Sequence, residues 1–111
     1  MEVARSVINA LEDKKGEDIL LLDIQEISSF ADYFVICSGT SDRMLDALAD
    51  EASQNAKKNF QIIGRIEGGP RSGWMVVDLG DVVVHLFSPE QRDYYRLEEL
   101  WEKGKVLVRL Q

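Results

Sequence analysis

Apolar side chains recur at helical spacing along the first segment, with Val3, Ala4, Val7, Ile8 and Leu11 on one side and Glu2, Arg5, Asn9 and Glu12 elsewhere. A 3.6-residue repeat of this kind predicts an amphipathic helix, and Gly16 supplies its stop. Two nearly continuous apolar runs follow, Ile19-Leu20-Leu21-Leu22-Asp23-Ile24 and Tyr33-Phe34-Val35-Ile36-Cys37, separated by a loop marked by Ser28, Ser29 and Asp32. Such runs predict strands inside a sheet covered on both faces. The turn Ser38-Gly39-Thr40-Ser41 feeds a helix in which Leu45, Leu48, Ala49, Ala52 and Ala56 share a face, with Thr40 or Ser41 as its N-cap. A short strand is expected over residues 61–66, then a mobile loop over residues 67–73. Ser88-Pro89-Glu90-Gln91 combines a cap serine, a proline at the first helical position and a capping-box glutamine, so a helical turn begins there. Leu97, Leu100 and Trp101 continue at helical spacing, Gly104 interrupts, and the alternation of Val106, Val108 and Leu110 predicts a final edge strand.

The two runs around Gly80-Asp81 form the most informative segment. With those residues at the centre of a tight hairpin turn, Leu79 opposes Val82, Asp78 opposes Val83, Val76 opposes His85 and Trp74 opposes Phe87. Period-two alternation then separates two faces. Met75, Val77, Leu79, Val82, Val84 and Leu86 make an entirely apolar face that must pack on a helix. Trp74, Val76, Asp78, Val83, His85 and Phe87 make the other, apolar with an acid and an imidazole set into it. A large aromatic ringed by polar groups is the composition of a protein-interface anchor, although a second helix covering this face would account for the same residues. Tyr94, Tyr95 and Trp101 enlarge the patch wherever they are exposed.

Composition narrows the function. A chain of 111 residues suits one domain, and no repeat or linker divides it. Twenty acidic against 13 basic residues leave a net charge of -7, which disfavours direct nucleic-acid binding and suits a basic protein partner. No apolar stretch approaches the ~20 residues of a membrane span, and residues 1–15 lack the apolar block of a signal peptide. The single Cys37 fits a reducing compartment, so a cytoplasmic location is expected.

Catalytic chemistry finds little footing. One histidine and one cysteine, far apart and without CxxC or HxxxH spacing, do not predict a metal site. The Ser38-Gly39-Thr40-Ser41 turn could cradle a phosphate at a helix N-terminus, but it has one glycine and no P-loop lysine, and its role as an N-cap turn already explains it. A strand, a Gly-Thr-Ser turn and a helix also resemble the opening of the nucleotidyltransferase fold. Asp78 and Asp81, on a strand and in a turn, do not make the spaced carboxylate pair of two-metal chemistry. Ser38, His85 and Asp78 compose a triad only on paper, without a nucleophile elbow.

Three segments carry a family resemblance. Ala31-Asp32-Tyr33-Phe34-Val35-Ile36-Cys37-Ser38-Gly39-Thr40-Ser41, then Asp78-Leu79-Gly80-Asp81-Val82-Val83-Val84-His85, and finally Arg92, Tyr95, Leu97, Glu98, Leu100 and Trp101 are similar in order and spacing to the ribosomal silencing factor (iojap-like) family. The resemblance covers residues 1–101 and leaves residues 102–111 as a C-terminal extension. It implies a single α/β domain, a mixed β-sheet flanked by helices with nucleotidyltransferase-like topology, and neither transferase activity nor a cofactor. The family binds the large ribosomal subunit through ribosomal protein L-fourteen, blocks joining of the small subunit and represses translation; its members often form homodimers. On that footing the expected partner-binding residues are Trp74, Asp78, Asp81, His85 and Tyr95. A non-catalytic adaptor for another basic protein is the alternative, and a nucleotidyltransferase a more distant one.

Overall fold

The N-terminal amphipathic segment is helix α1 (Glu2–Asp13), which buries Ala4, Val7, Ile8, Ala10 and Leu11 in the computed structural model. The structure describes residues 1–100 and 104–110. Gly16 closes the helix, its N–H donating to the Leu11 carbonyl at 2.9 Å, and the chain turns into β1 (Glu17–Asp23). A Cβ on Gly16 would lie 2.5 Å from Cys37 Sγ, so the close approach of this turn to the sheet requires glycine. After β2 (Tyr33–Ser38), α2 (Asp42–Phe60) starts at Ser41, whose hydroxyl accepts from the Met44 N–H at 3.1 Å.

The remaining elements are β3 (Arg65–Glu67), a 3-10 turn (Pro70–Ser72), β4 (Trp74–Asp78), β5 (Val82–Phe87), α3 (Pro89–Tyr95), α4 (Leu97–Leu100) and β6 (Lys105–Leu110). Among the described residues the strands form one six-stranded mixed sheet in the order β3-β4-β5-β2-β1-β6. β2 and β5 run parallel at its centre, and the other neighbouring pairs are antiparallel. A parallel pair needs a crossover, and the chain from α2 through β4 supplies it. The hairpin register is the expected one, with Trp74 opposite Phe87, Val76 opposite His85 and Asp78 opposite Val83.

One core lies between the sheet and the α1–α2 pair. Ile19, Leu21, Val35, Cys37, Met75, Val77, Val84 and Leu86 point into it from the sheet, and Leu11, Leu45, Leu48 and Ala52 from the helices. Each fully buried Val or Leu contributes about 1.5–3 kcal/mol relative to exposure, so this layer dominates stability. A smaller core on the opposite face contains Leu20, Leu22, Ile24, Ala31, Phe34, Ile36, Val83, Phe87 and Leu97, with Trp74 and Val76 packed at its margin.

Three local expectations change. The strand expected over residues 61–66 begins only at Arg65, because the residues before it serve as the cap of α2 and a loop: Gln61 takes a left-handed C-cap (φ 56°) and the N–H of Ile62 reaches back to the Ala56 carbonyl at 3.2 Å. The segment after it contains the 3-10 turn, where the Ser72 hydroxyl donates to the Gly69 carbonyl at 2.7 Å. The C-terminal helical pattern breaks at Arg96, also left-handed (φ 47°), so α3 and α4 are separate. Trp101 and the side chain of Leu100, expected to extend that pattern, lie outside the described residues.

Candidate partner-binding surface

Strand alternation puts Trp74, Val76 and Asp78 of β4 on the face away from α1 and α2, beside His85 and Phe87 of β5. Trp74 is half-buried, and its ring stacks on Phe87 with centroids 5.0 Å apart and planes at 28°. Tyr95, 42% exposed at the end of α3, lies against the indole at 4.6 Å, and the more exposed Tyr94 meets Tyr95 edge-on at 5.0 Å. The result is an open aromatic patch with Phe87 as its fully buried floor.

Two contacts fix α3, and so Tyr95, over this face. Ser88 caps the helix by accepting from the Gln91 N–H at 3.2 Å, while its own N–H donates to the Gly73 carbonyl at 2.8 Å. Gly73 has φ 77°, and a Cβ there would collide with Gln91 and Ser88. From the next turn the Arg92 guanidinium donates to the Ser38 hydroxyl at 2.9 Å and to the Asp18 carbonyl, bridging α3 to β1 and β2.

The structure brings Trp74, His85 and Tyr95 together. His85 is only 7% exposed and lies beneath the patch, its Nδ1 accepting from the indole N–H at 3.2 Å. Burial pushes its pKa from 6.5 down to about 4, so it is neutral near pH 7. Asp78 and Asp81 are exposed at the far end of the hairpin. An Asp78 carboxylate oxygen accepts from the Gly80 N–H at 2.9 Å, and the Asp81 carbonyl accepts from the N–H groups of Asp32 and Tyr33, tying the turn to β2. The two acids therefore flank the aromatic cluster rather than join it.

Sequence reasoning missed Arg65 and Glu67. They oppose Asp78 and Val76 in the β3–β4 pairing, so they share the patch face and make an exposed ion pair of 3.8 Å at its edge. The signal was present in the alternation of Arg65, Ile66 and Glu67, but a strand placed too early obscured it. Among the described residues, helix α3 and the segments carrying Ala31 and Leu97 pack on the second face, and Trp74 stays half-buried.

The catalytic arrangements weighed above are not assembled. Ser38 is buried and receives the Arg92 hydrogen bond, while His85 faces Trp74 rather than Ser38 or Asp78. Gly39 serves packing, since a Cβ there would press on Leu45 and Leu48 at 3.0 and 3.2 Å, and the Ser41 hydroxyl is used as the helix cap. Burial pushes the Cys37 thiol up to about 12, against a smaller opposing effect of Arg92, so it is not a thiolate near neutral pH. Among the described residues no group of three or more His, Cys, Asp or Glu side chains is placed to hold a metal ion. No described helix is long and apolar enough to cross a membrane.

Comparison with known proteins adds an independent line. A family model described as "Ribosomal silencing factor during starvation" matches residues 1–110. The chain is 49% identical over 92 residues to Ribosomal silencing factor RsfS of Bacillus subtilis (strain 168), an alignment covering 83% of this chain and 78% of that protein. It is 35% identical over 98 residues to the mouse (Mus musculus) protein named "Mitochondrial assembly of ribosomal large subunit protein 1", covering 86% of this chain and 43% of that one. A crystal structure of a protein from Chromobacterium violaceum superposes with a TM-score of 0.87 at 37% identity, covering 96% of this chain and 91% of that one.

Proposed function

The chain belongs to the ribosomal silencing factor family, and from that premise we propose that it represses translation by binding the large ribosomal subunit and sterically blocking the small one. The contact is with ribosomal protein L-fourteen, in the cytoplasm. Blocking a surface requires shape and affinity but no reacting groups, so the protein is a binding factor rather than an enzyme and uses no cofactor.

The observation that carries this reading is the patch itself. Trp74 and Tyr95 form a partly open aromatic pair set on a buried floor, with the Arg65–Glu67 ion pair along one edge and Asp78 and Asp81 exposed at the far end of the hairpin. Aromatic anchors bordered by polar side chains concentrate binding energy, and a chain of net charge -7 suits a basic protein embedded in RNA. Trp74 and Tyr95 touch the partner, the acids meet its basic side chains, and His85 supports the surface from below. The name of the mouse relative points to the same subunit. Self-association as a homodimer is part of the reading, and sedimentation of the purified chain tests it.

Co-sedimentation provides the main test. The protein should pellet with isolated large subunits and not with small subunits or assembled ribosomes, because joining hides the occupied surface. Equal recovery with all three would sink the blocking mechanism. Trp74→Ala should weaken binding to large subunits by about 2 kcal/mol, roughly thirtyfold, as expected for loss of a hot-spot aromatic.

A further inference from the structure

His85 is out of place by the standards of its own strand. Val82, Val83, Val84, Leu86 and Phe87 are all apolar and buried, and His85 is equally buried among them. Its ring meets Phe34 edge-on at 4.6 Å and lies parallel to Phe87 at 6.3 Å. With Nδ1 accepting the Trp74 indole proton, the single proton of the neutral imidazole must sit on Nε2. That nitrogen is buried and has no hydrogen-bond partner among the described residues. An unmade buried donor is costly, and an apolar side chain of similar volume would remove the cost. Stability alone therefore does not favour histidine at this position.

A leucine or phenylalanine could not supply what the imidazole does, an acceptor fixed beneath the indole N–H. Stacking on Phe87 sets the plane of the Trp74 ring, and the hydrogen bond to His85 selects its rotation within that plane. Tyr95 packs on the ring so oriented. We propose that His85 is a positioning residue for docking, accepting the indole proton so that Trp74 is held in its binding orientation before the partner arrives, with fold stability given up in exchange. Ordering the anchor in advance lowers the entropy lost on association. This inference rests on the Trp74–Tyr95 patch being the docking surface.

The test compares wild type, His85→Leu, His85→Asn and Trp74→Ala at pH 7, reading thermal unfolding and titration with isolated large ribosomal subunits. His85→Leu should unfold at or above the wild-type temperature yet bind about fivefold more weakly, the effect of one hydrogen bond. Asparagine places an amide oxygen near the position of Nδ1, so His85→Asn should recover most of the affinity. Slow hydrogen exchange of the Trp74 indole N–H in the unbound wild type should accompany these results, and exchange at the rate of an open indole would overturn the proposal. A His85→Leu chain that binds like wild type while Trp74→Ala is impaired would also overturn it, leaving the docking surface intact. So would a His85→Leu chain that unfolds early or fails to fold, since the imidazole would then belong to the core. Normal binding by Trp74→Ala would remove the docking surface itself, and the role of His85 with it.

Discussion

The two faces of the β4–β5 hairpin come from alternate residues of the same two strands, yet they solve different problems. Toward α1 and α2, Met75, Val77, Val84 and Leu86 are at most 3% exposed and carry no polar atom in their side chains apart from the methionine sulfur. Toward α3, the matching positions are Trp74, Val76, His85 and Phe87, where two side chains stay partly open and one has a buried nitrogen without a partner among the described residues. The first face is what packing alone would select. The second accepts exposed aromatic area and a buried donor without a partner among the described residues, both unfavourable for folding; the proposed docking role accounts for the first, and the acceptor that His85 offers the indole through its other nitrogen accounts for the second. If the proposed docking surface is right, stability and binding should respond differently to substitutions at alternate positions of one strand.

The sharpest way to break this contrast is to cut into the helix-covered face. Leu86 is fully buried in the main core, so Leu86→Ala should destabilise the fold by about 3 kcal/mol through lost burial and a residual cavity. Denaturant unfolding measures that loss, and affinity for large subunits, corrected for the folded fraction, should stay within about twofold of wild type. A large drop in corrected affinity would mean that the two faces are coupled through the sheet.

The opposite face should reveal itself through pH. The His85 pKa is lowered from 6.5 to about 4 by burial, so between those values the unfolded chain binds a proton that the folded chain refuses. Stability from this group is therefore fully present above pH 6.5, falls as pH drops toward 4 and levels off below it, with a total range of about 3 kcal/mol. Carboxylates titrate in the lower part of the same range, so the quantity to measure is the difference between wild type and His85→Leu. That difference in unfolding free energy should move in favour of the leucine variant from pH 7 to pH 4. Parallel pH profiles would show that the imidazole is charged, or hydrated, in the folded protein.

Where the local pattern and the tertiary environment agreed, the fold was readable from the chain. Alternation around Gly80-Asp81 fixed the hairpin register because a slip of one residue would have moved Val77 and Val84 out of the core. The helix starts at Ser41 and Ser88 were legible because a hydroxyl cap is a short-range device. The helix ends at Gln61 and Arg96 were not, since both use non-glycine residues in the left-handed region, where sequence gives little warning. The candidate surface was legible as a set of residues on one face, but not in its depth. His85 lies under the patch because Phe34 from β2 packs on the imidazole while Tyr95 from α3 packs on Trp74 above it, contacts between segments distant in sequence. Arg92 reaching Ser38 is likewise a tertiary contact that no spacing rule announces.

The smallest predicted effect tests how far the comparison reaches along the strand. Asp78 is on the Trp74 face but beyond the aromatic cluster, exposed, and opposite Arg65 of the edge strand. Its carboxylate also accepts from the Gly80 N–H, a task that the amide oxygen of asparagine can perform equally well. Asp78→Asn should therefore change stability by less than about 0.5 kcal/mol, the usual scale for a surface substitution. Its effect on binding is electrostatic. If the acid faces basic side chains of the partner, affinity should fall by roughly two- to fivefold at low salt, mainly through slower association, and the difference should shrink as the Debye length contracts from about 10 Å at 0.1 M salt to about 3 Å at 1 M. Association rates on immobilised large subunits across that salt range measure it directly. An unchanged rate at low salt would confine the docking surface to the aromatic end of the hairpin, and a loss that persists at high salt would mean that Asp78 holds the turn rather than steering the partner.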